Sequence, residues 1–239
     1  MKRKNRSRTA SKDSIAAGPR QERSRRTQER LLQATERLMT RLGTADFSVP
    51  DVSREAGMSI GGIYRRFKDK EALLLAVQER LYESMSADYA AVEAEARRDG
   101  DTLQRLVDIL VAGLSNLLRR HAPLIKAIME ATWTSADIAA GGVRSFQAHS
   151  QRFKSQLLVQ RRAITHPNPE LAAEFCFISV FELLASHFGV GRRAAPEHTR
   201  WPVLVAELQR LTYCYLTGGV HAAAARRNPS GVRPRRPRK

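Results

Sequence analysis

Two adjacent arginines stand in a short stretch whose groups could hydrogen-bond a polyanion. Arg65 and Arg66 follow the run Ser59-Ile-Gly-Gly-Ile-Tyr64. A guanidinium holds its N–H groups in one plane, so it can bind two phosphate oxygens or the O6 and N7 atoms of one guanine. Gly61 and Gly62 lack side chains, so their backbone can approach DNA closely and offer amides to a phosphate. The stretch predicts nucleic-acid contacts, with base reading by Arg65 and plain phosphate contacts by either arginine as alternatives.

The chain as a whole is strongly basic. Its 239 residues include 41 Lys and Arg against 24 Asp and Glu, a net charge of +17, which is typical of proteins that bind nucleic acid or an acidic membrane surface. Residues 1–25 carry nine Lys and Arg against two acidic residues, and residues 226–239 carry seven against none. Segments so poor in apolar residues cannot offset chain entropy. We therefore expect disordered basic tails at 1–25 and 221–239, which either contact phosphates or only aid solubility.

Several other classes of function lack their sequence signatures. We find no nucleophile elbow, P-loop, dinucleotide fingerprint or His-Glu-x-x-His motif, so we expect no enzyme activity, no catalytic or metal site and no cofactor. Cys176 and Cys214 stand far apart in apolar surroundings, which favours buried free thiols over metal ligands. No signal-peptide core and no apolar run of about 18 residues is present, which predicts a cytoplasmic protein without membrane contact.

The apolar residues of the chain recur at spacings of three and four, which predicts an all-α fold. The first helix is expected over Arg26–Leu42, with Gly43 placed to end it in a left-handed conformation. Ser48 is expected to cap a second helix. A tight turn at Gly57 then leads to a third helix, which Ser59 caps.

A fourth helix, capped by Asp69, is expected to lead from this small unit into a larger helical region. The helix predicted at 169–188 is apolar almost all round, which requires burial on every side. We therefore expect a symmetric homodimer in which this helix and the last one pair with their copies in a four-helix bundle. The remaining helices are predicted over residues 102–120, 123–132, 136–162 and 197–216.

The segment from Ser48 to Leu74 resembles the DNA-binding domain of the TetR family of transcriptional regulators. The likeness covers about residues 26–80, and the run 168–173 resembles the start of the family's penultimate helix. It implies an N-terminal helix-turn-helix domain at 26–72 and a C-terminal helical effector-binding and dimerisation domain at 73–220. The family's signature positions are occupied by Ala56-Gly-Met-Ser59, Gly61, Tyr64, Phe67 and Lys70-Glu-Ala-Leu-Leu74.

The resemblance also assigns roles within the helix-turn-helix. The third helix would enter the major groove, Tyr64 and Lys70 would bind phosphates, and Ile60 could contact a thymine methyl group. Ser48 and Ser59 would cap their helices, alone or together with backbone contacts to DNA. The family more often has Thr or Ala at position 62 and His at position 66, so the operator sequence stays open. The predicted DNA contacts are Ser48, Ser59, Ile60, Gly61, Gly62, Tyr64, Arg65, Arg66 and Lys70.

By the same resemblance, the chain would be a repressor that leaves a palindromic double-stranded operator when a small-molecule effector binds. An activator or ligand-independent regulator of the same fold, or a basic DNA-packaging protein without sequence preference, are the alternatives. The candidate pocket residues are large apolar side chains of the middle helices, for which plain core packing is the other interpretation: Met129, Trp133, Phe146, Phe153 and Phe177. Polar contacts could come from His121, His149, His187 and Arg144.

Overall fold

The fold was analysed in a computed structural model that describes residues 19–190 and 199–218. Within these two ranges all regular structure is helical, which confirms the predicted all-α class. The helices are α1 Pro19–Leu42, α2 Val49–Ala56, α3 Ile60–Tyr64, α4 Lys70–Asp99, α5 Leu103–Ala131, α6 Ala136–Leu157, a 3-10 helix at Leu158–Ala163, α7 Pro169–His187 and α8 Trp201–Thr217.

Helix α1 begins seven residues earlier than the sequence predicts, so residues 19–25 are helical rather than part of a tail. A proline suits the first helical position, where the amide has no partner. Glu22 then pairs with Arg25 at 3.0 Å and with Arg26 at 2.8 Å, one turn further along the helix. The rest of the expected N-terminal tail, 1–18, and the expected C-terminal tail, 221–239, lie outside the described residues.

The middle of the chain corrects two predicted boundaries. The helices expected at 102–120 and 123–132 form the single helix α5, because exposed Pro123 removes a hydrogen bond only on the solvent side while the buried face continues. The helix expected at 136–162 ends at Leu157 and tightens into the 3-10 helix. There, the Gln160 amide bonds the carbonyls of Gly100 and Asp101 at 3.2 and 2.9 Å. The predicted start at 197 lies outside the described residues, and α8 begins at Trp201.

Helices α1 to α3 and the start of α4 enclose the smaller part of the core. Leu31, Val52, Ile63 and Leu73 from these four helices are buried in one cluster. The turn between α2 and α3 depends on Gly57, whose φ of 59° lies in the left-handed region. This packing fixes the orientation of the short helix α3.

The larger part of the molecule is built around α5, which contacts α1, α4, α6, α7 and α8. Its two cysteines differ in burial: Cys176 on α7 is buried, whereas Cys214 on α8 is exposed, so the prediction of a second buried thiol was wrong. Helical periodicity puts Cys214 on the same face of α8 as Val203 and Leu211, which are also exposed. Among the helices described, none has the length and apolar character needed to cross a bilayer.

Candidate nucleic-acid interface and ligand cavity

The start of α2 is fixed by a reciprocal pair of hydrogen bonds. The Asp51 amide donates to the Ser48 hydroxyl at 3.4 Å, and the Ser48 amide donates to the Asp51 carboxylate at 2.9 Å. The Ser48 hydroxyl and amide hold the pKa of Asp51 below its ordinary value. Ser48 is exposed beside this cap. The structure therefore confirms its capping role and leaves its surface accessible.

Helix α3 has only five residues and is anchored on one side. The Ser59 hydroxyl caps it by accepting the Gly62 amide at 3.2 Å, as predicted. Ile63 is buried in the core, whereas Ile60 and Tyr64 are 42% and 51% exposed. The helix therefore has a buried side and an exposed side. We call its exposed side the α3 face, which consists of five residues: Ser59, Ile60, Gly61, Tyr64 and Arg65.

The two glycines of α3 have different environments. A Cβ on Gly61 would have no atom within 4 Å, so the backbone there is open to close approach. Gly62 is buried, and a Cβ there would lie 3.1 Å from Cγ of Met58. Its amide is already bonded to Ser59. The expectation that both glycines present bare backbone and free amides therefore holds for Gly61 only, because successive helical residues point about 100° apart.

The two arginines also differ, although they are adjacent in sequence. Arg65 is exposed, and its guanidinium has no hydrogen-bond or ion-pair partner within 19–190 and 199–218. Arg66 is half-buried and donates from Nη1 to the Gly62 carbonyl at 3.1 Å. Lys70, at the start of α4, is half-buried with its Nζ atom 4.6 Å above the centre of the Phe47 ring. Arg65 is therefore the free guanidinium of the α3 face.

A cavity of about 870 Å³ lies among α4, α5, α6 and α7. Of the five predicted pocket residues, Met129 and Phe146 line it. Phe153 and Phe177 are fully buried and pack against each other, with ring centres 5.6 Å apart, so they belong to the core. Trp133 follows α5 and is 78% exposed, because the turn carries it away from the helical packing. The cavity therefore lies between the middle helices, as expected. Of the predicted pocket residues, only Met129 and Phe146 belong to its wall.

The cavity also has polar residues in its wall. Of the four polar candidates, His149 lines it, whereas His121 instead pairs with Asp88 at 2.9 Å. Two carboxylates of α7, Glu174 and Glu182, complete this side. Neither was predicted from the sequence, because charged residues on a helix are usually solvated and only their four-residue spacing from Ile178 hints at a shared wall.

The outer faces of α7 and α8 carry exposed large apolar side chains. On α7, Leu171, Phe175 and Ile178 recur at three- and four-residue spacing and form one stripe along the helix, whereas exposed Leu183 lies off it. Ile178 also lines the cavity, so this stripe borders the cavity. Cys214 extends the corresponding stripe of α8. We refer to these residues together as the α7–α8 face: Leu171, Phe175, Ile178, Val203 and Leu211.

Comparisons with known proteins agree on one family. Residues 31–77 match the family model described as bacterial regulatory proteins, tetR family. The HTH-type transcriptional regulator BetI of Stenotrophomonas maltophilia (strain R551-3) is 26% identical over 198 residues, which cover 82% of this chain and 94% of BetI. The HTH-type transcriptional regulator CymR of Pseudomonas putida is 34% identical over 87 residues, 36% of this chain and 43% of CymR. The matched family segment contains all of α2 and α3.

The fold is shared with solved structures. A TetR transcription regulator from Haloarcula marismortui ATCC 43049 superposes with a TM-score of 0.62 at 13% identity. The superposition covers 82% of this chain and 98% of that one. The likeness therefore extends over the C-terminal helices, well beyond the segment that the family model matches.

Proposed function

Because this chain is a TetR-family transcription regulator with a DNA-binding helix-turn-helix, we propose that it is a repressor released from its operator by a small molecule. The observation that carries the proposal is that one helix joins the two sites. Lys70, at the start of α4, packs on the helix-turn-helix residue Phe47, and Tyr82 and Met85 of the same helix line the cavity. About 20 Å of continuous helix therefore connects the cavity to the DNA-binding unit.

The proposed DNA contacts follow from exposure. The α3 face enters the major groove, where Arg65 binds a guanine edge and Ile60 contacts a thymine methyl group. Gly61 allows the backbone to approach a phosphate. The exposed phenol of Tyr64 fits the same role at the edge of the groove. Five predicted residues are assigned supporting positions, since each already has a contact within the protein: Ser48, Ser59, Gly62, Arg66 and Lys70.

We propose that the regulator is a homodimer. The α7–α8 face is apolar and exposed on one chain, and a second copy would cover it in a four-helix bundle. A two-fold dimer presents two α3 faces, which would bind a palindromic operator at half-sites about 34 to 36 Å apart. The same dimer would therefore cover the α7–α8 face and hold the two α3 faces at the spacing of the half-sites.

Release requires an effector that prefers the dimer conformation in which the α3 faces no longer match the DNA. A ligand between α4 and its neighbours would shift that helix, and a small rotation of each DNA-binding unit is enough to lose the spacing. The domains proposed for this mechanism are 26–72 for DNA binding and 73–220 for the effector and the dimer. Helix α4 crosses the boundary between them.

The test is selection of genomic fragments with the purified full-length protein, followed by sequencing and a transcription assay on the recovered promoter. We expect a short palindrome, and lower transcription when the protein is added. Increased transcription would make the protein an activator. Recovery of fragments without a common sequence would favour a packaging protein and overturn the proposal.

A further inference from the structure

We propose that the cavity binds a hydrophobic amine in its protonated form and excludes carboxylates and other anions. The inference rests on the proposed effector role of the cavity and gives the chemical class of its ligand. Three independent features of the wall support it: its charge, its aromatic rings and one unpartnered buried nitrogen.

The charge of the wall is opposite to that of the chain. The protein has 41 Lys and Arg, yet the residues that line this cavity include Glu174 and Glu182 and neither Lys nor Arg. Glu174 pairs with Lys154 at 3.4 Å, whereas Glu182 has no ion pair in the described ranges. A cation entering here gains the unpaired carboxylate of Glu182 as a partner, whereas an anion is repelled by that carboxylate.

The cationic side chains near the cavity do not reverse this balance. Arg152 is bound to both oxygens of Glu93, at 2.8 and 2.9 Å, so its charge is compensated. Arg144 is exposed and is not part of the wall. Arg152 and Lys154 are therefore paired and Arg144 is accessible to solvent, which weakens their attraction for an anion inside the cavity. Glu182 is also accessible to solvent, but among the wall residues it is the carboxylate without an ion pair in the described ranges.

Aromatic rings form part of the same wall. Phe146 of α6 and Phe181 of α7 meet edge to face with ring centres 5.0 Å apart. Tyr82 of α4 also lines the cavity. The face of an aromatic ring attracts an ammonium group, and the apolar residues between these rings suit a hydrocarbon body. At about 870 Å³ the cavity has room for a ligand of several rings.

His149 supplies the specific hydrogen bond. Its Nδ1 atom lies 2.9 Å from the Ser145 carbonyl, which can only accept, so Nδ1 carries the proton of that bond. Burial lowers the pKa of His149 and favours the neutral ring, although the hydrogen bond to the Ser145 carbonyl opposes this. The Nε2 atom has no hydrogen-bond partner in the described structure and is enclosed by its neighbours, among them the Tyr89 ring at 5.6 Å between ring centres, so a ligand must displace these neighbours to reach it. In this tautomer Nε2 carries a lone pair, which can accept a hydrogen bond from an N–H or O–H group of a ligand.

These features together select an N–H-bearing cation. A protonated amine offers a charge to Glu182 and an N–H to His149. A quaternary ammonium offers only the charge, an alcohol only the donor, and a carboxylate neither. The order of affinity expected from the wall is the amine first, the quaternary ion and the alcohol next, and the carboxylate last.

The test uses four naphthalene compounds that differ only in their polar group. Calorimetric titration of the full-length protein without DNA compares 1-naphthylmethylamine, its N,N,N-trimethyl derivative, 1-naphthylmethanol and 1-naphthylacetate. We expect the amine to bind at least about tenfold more tightly than the carboxylate, since it adds an ion pair and a hydrogen bond. Equal or tighter binding of the carboxylate overturns the proposal, as does a series in which no compound binds.

Two variants separate charge from hydrogen bonding. Glu182→Gln should weaken the amine and the quaternary ion but not the alcohol. His149→Phe should weaken the amine and the alcohol but not the quaternary ion. Glu79→Gln, an exposed α4 carboxylate outside the cavity, is the matched control and should change none of them. Glu182 is exposed, so its variant keeps the fold even if the change at buried His149 does not. An unchanged amine preference in the Glu182 variant overturns the charge argument.

Rejection of the proposed ligand class can be distinguished from rejection of the proposed effector control. Tight binding of the carboxylate, with release of the selected promoter fragment, would reject the amine while the effector mechanism remains. Tight binding of the amine without release of DNA would reject effector control while the ligand class remains.

Discussion

At the scale of single residues, the interface depends on which direction each side chain of α3 takes. The sequence was sufficient to predict the caps at Ser48 and Ser59, because capping is a local interaction between residues three apart. It could not separate Arg65 from Arg66. Their difference depends on the Gly62 carbonyl, which accepts from Arg66 once the helix is packed.

Replacing Arg65 with alanine should weaken operator binding by about 1–3 kcal/mol and relax base preference at one position. The reason is that the variant lacks the guanidinium that is proposed to make a bidentate contact to guanine. Competition binding on the selected operator and on single-base variants measures both effects. Arg105→Ala, an exposed arginine on α5, is the control and should leave binding unchanged. Equal losses on operator and random DNA would assign Arg65 to a phosphate instead.

The two cysteines give a residue-scale test of the core. Burial raises the pKa of Cys176 to about 12, so at pH 8 its thiol is both protonated and inaccessible. In the Cys214→Ser variant, iodoacetamide at pH 8 should modify no thiol until the protein is unfolded. Mass spectrometry of the native and denatured samples reads the result. Rapid modification of the native variant would show that α7 is not packed as described.

At the scale of the elements, helix types were predictable and helix ends were less so. The caps at Ser48 and Ser59 predicted where α2 and α3 begin, and the apolar pattern predicted α7 at 169–188, one residue longer than in the structure. The continuity of α5 through Pro123 could not be predicted, because it depends on the solvent-facing orientation of the proline. The change to a 3-10 helix after Leu157 is accompanied by hydrogen bonds from Gln160 to carbonyls about 60 residues away in sequence. Long-range contacts of this kind leave no periodic signal.

The contact between α4 and α6 is a second feature that only the fold reveals. Gln78 of α4 is buried and donates to the Ile138 carbonyl of α6 at 2.8 Å and to the Tyr82 hydroxyl at 3.1 Å. A Cβ on Gly141 would overlap the Gln78 side-chain oxygen. The glycine therefore allows α4 and α6 to approach each other beside the cavity.

Gly141→Ala should destabilise the protein by about 1–3 kcal/mol, because the added methyl group forces the buried Gln78 amide from its hydrogen bonds. Chemical denaturation measures the free energy of unfolding. The neighbouring Gly142→Ala is the control: its Cβ would lie 3.5 Å from the Tyr82 hydroxyl, an ordinary contact, so it should not destabilise.

A double-variant cycle identifies the cause. In a Gln78→Ala background, Gly141→Ala should cost little or nothing, since the overlapping amide is gone. An undiminished cost in that background would contradict the proposed overlap and point to a different effect of the methyl group.

At the scale of the whole molecule, the proposed repressor needs two copies of the chain. The sequence predicted this from the apolar character of α7, which one small core cannot cover. The structure adds which residues remain exposed in one chain, namely the α7–α8 face. That selection could not be made from composition, because Phe177 and Phe175 are equally apolar and only the second is exposed.

Leu211→Glu should convert a dimer into a monomer, because it places a charge in the apolar contact between the α8 copies. Light scattering coupled to gel filtration measures the molar mass, which should fall by half. Val159→Glu is the control: it changes an apolar residue of the 3-10 helix that is 74% exposed, against 45% for Leu211, and lies outside this face, so the variant should remain dimeric. A wild-type protein that is monomeric at all concentrations contradicts the dimer.

The central claim is that the α3 face reads DNA sequence, and the ratio of specific to non-specific affinity tests it most directly. Phosphate contacts by the basic ends of the chain would raise affinity for any DNA, so the measurement belongs at about 0.2 M salt, where non-specific binding is weak. Titration of the selected promoter fragment and of a scrambled fragment of equal length gives the ratio. The account predicts a preference of at least about a thousandfold. Equal affinity for the two fragments would contradict it.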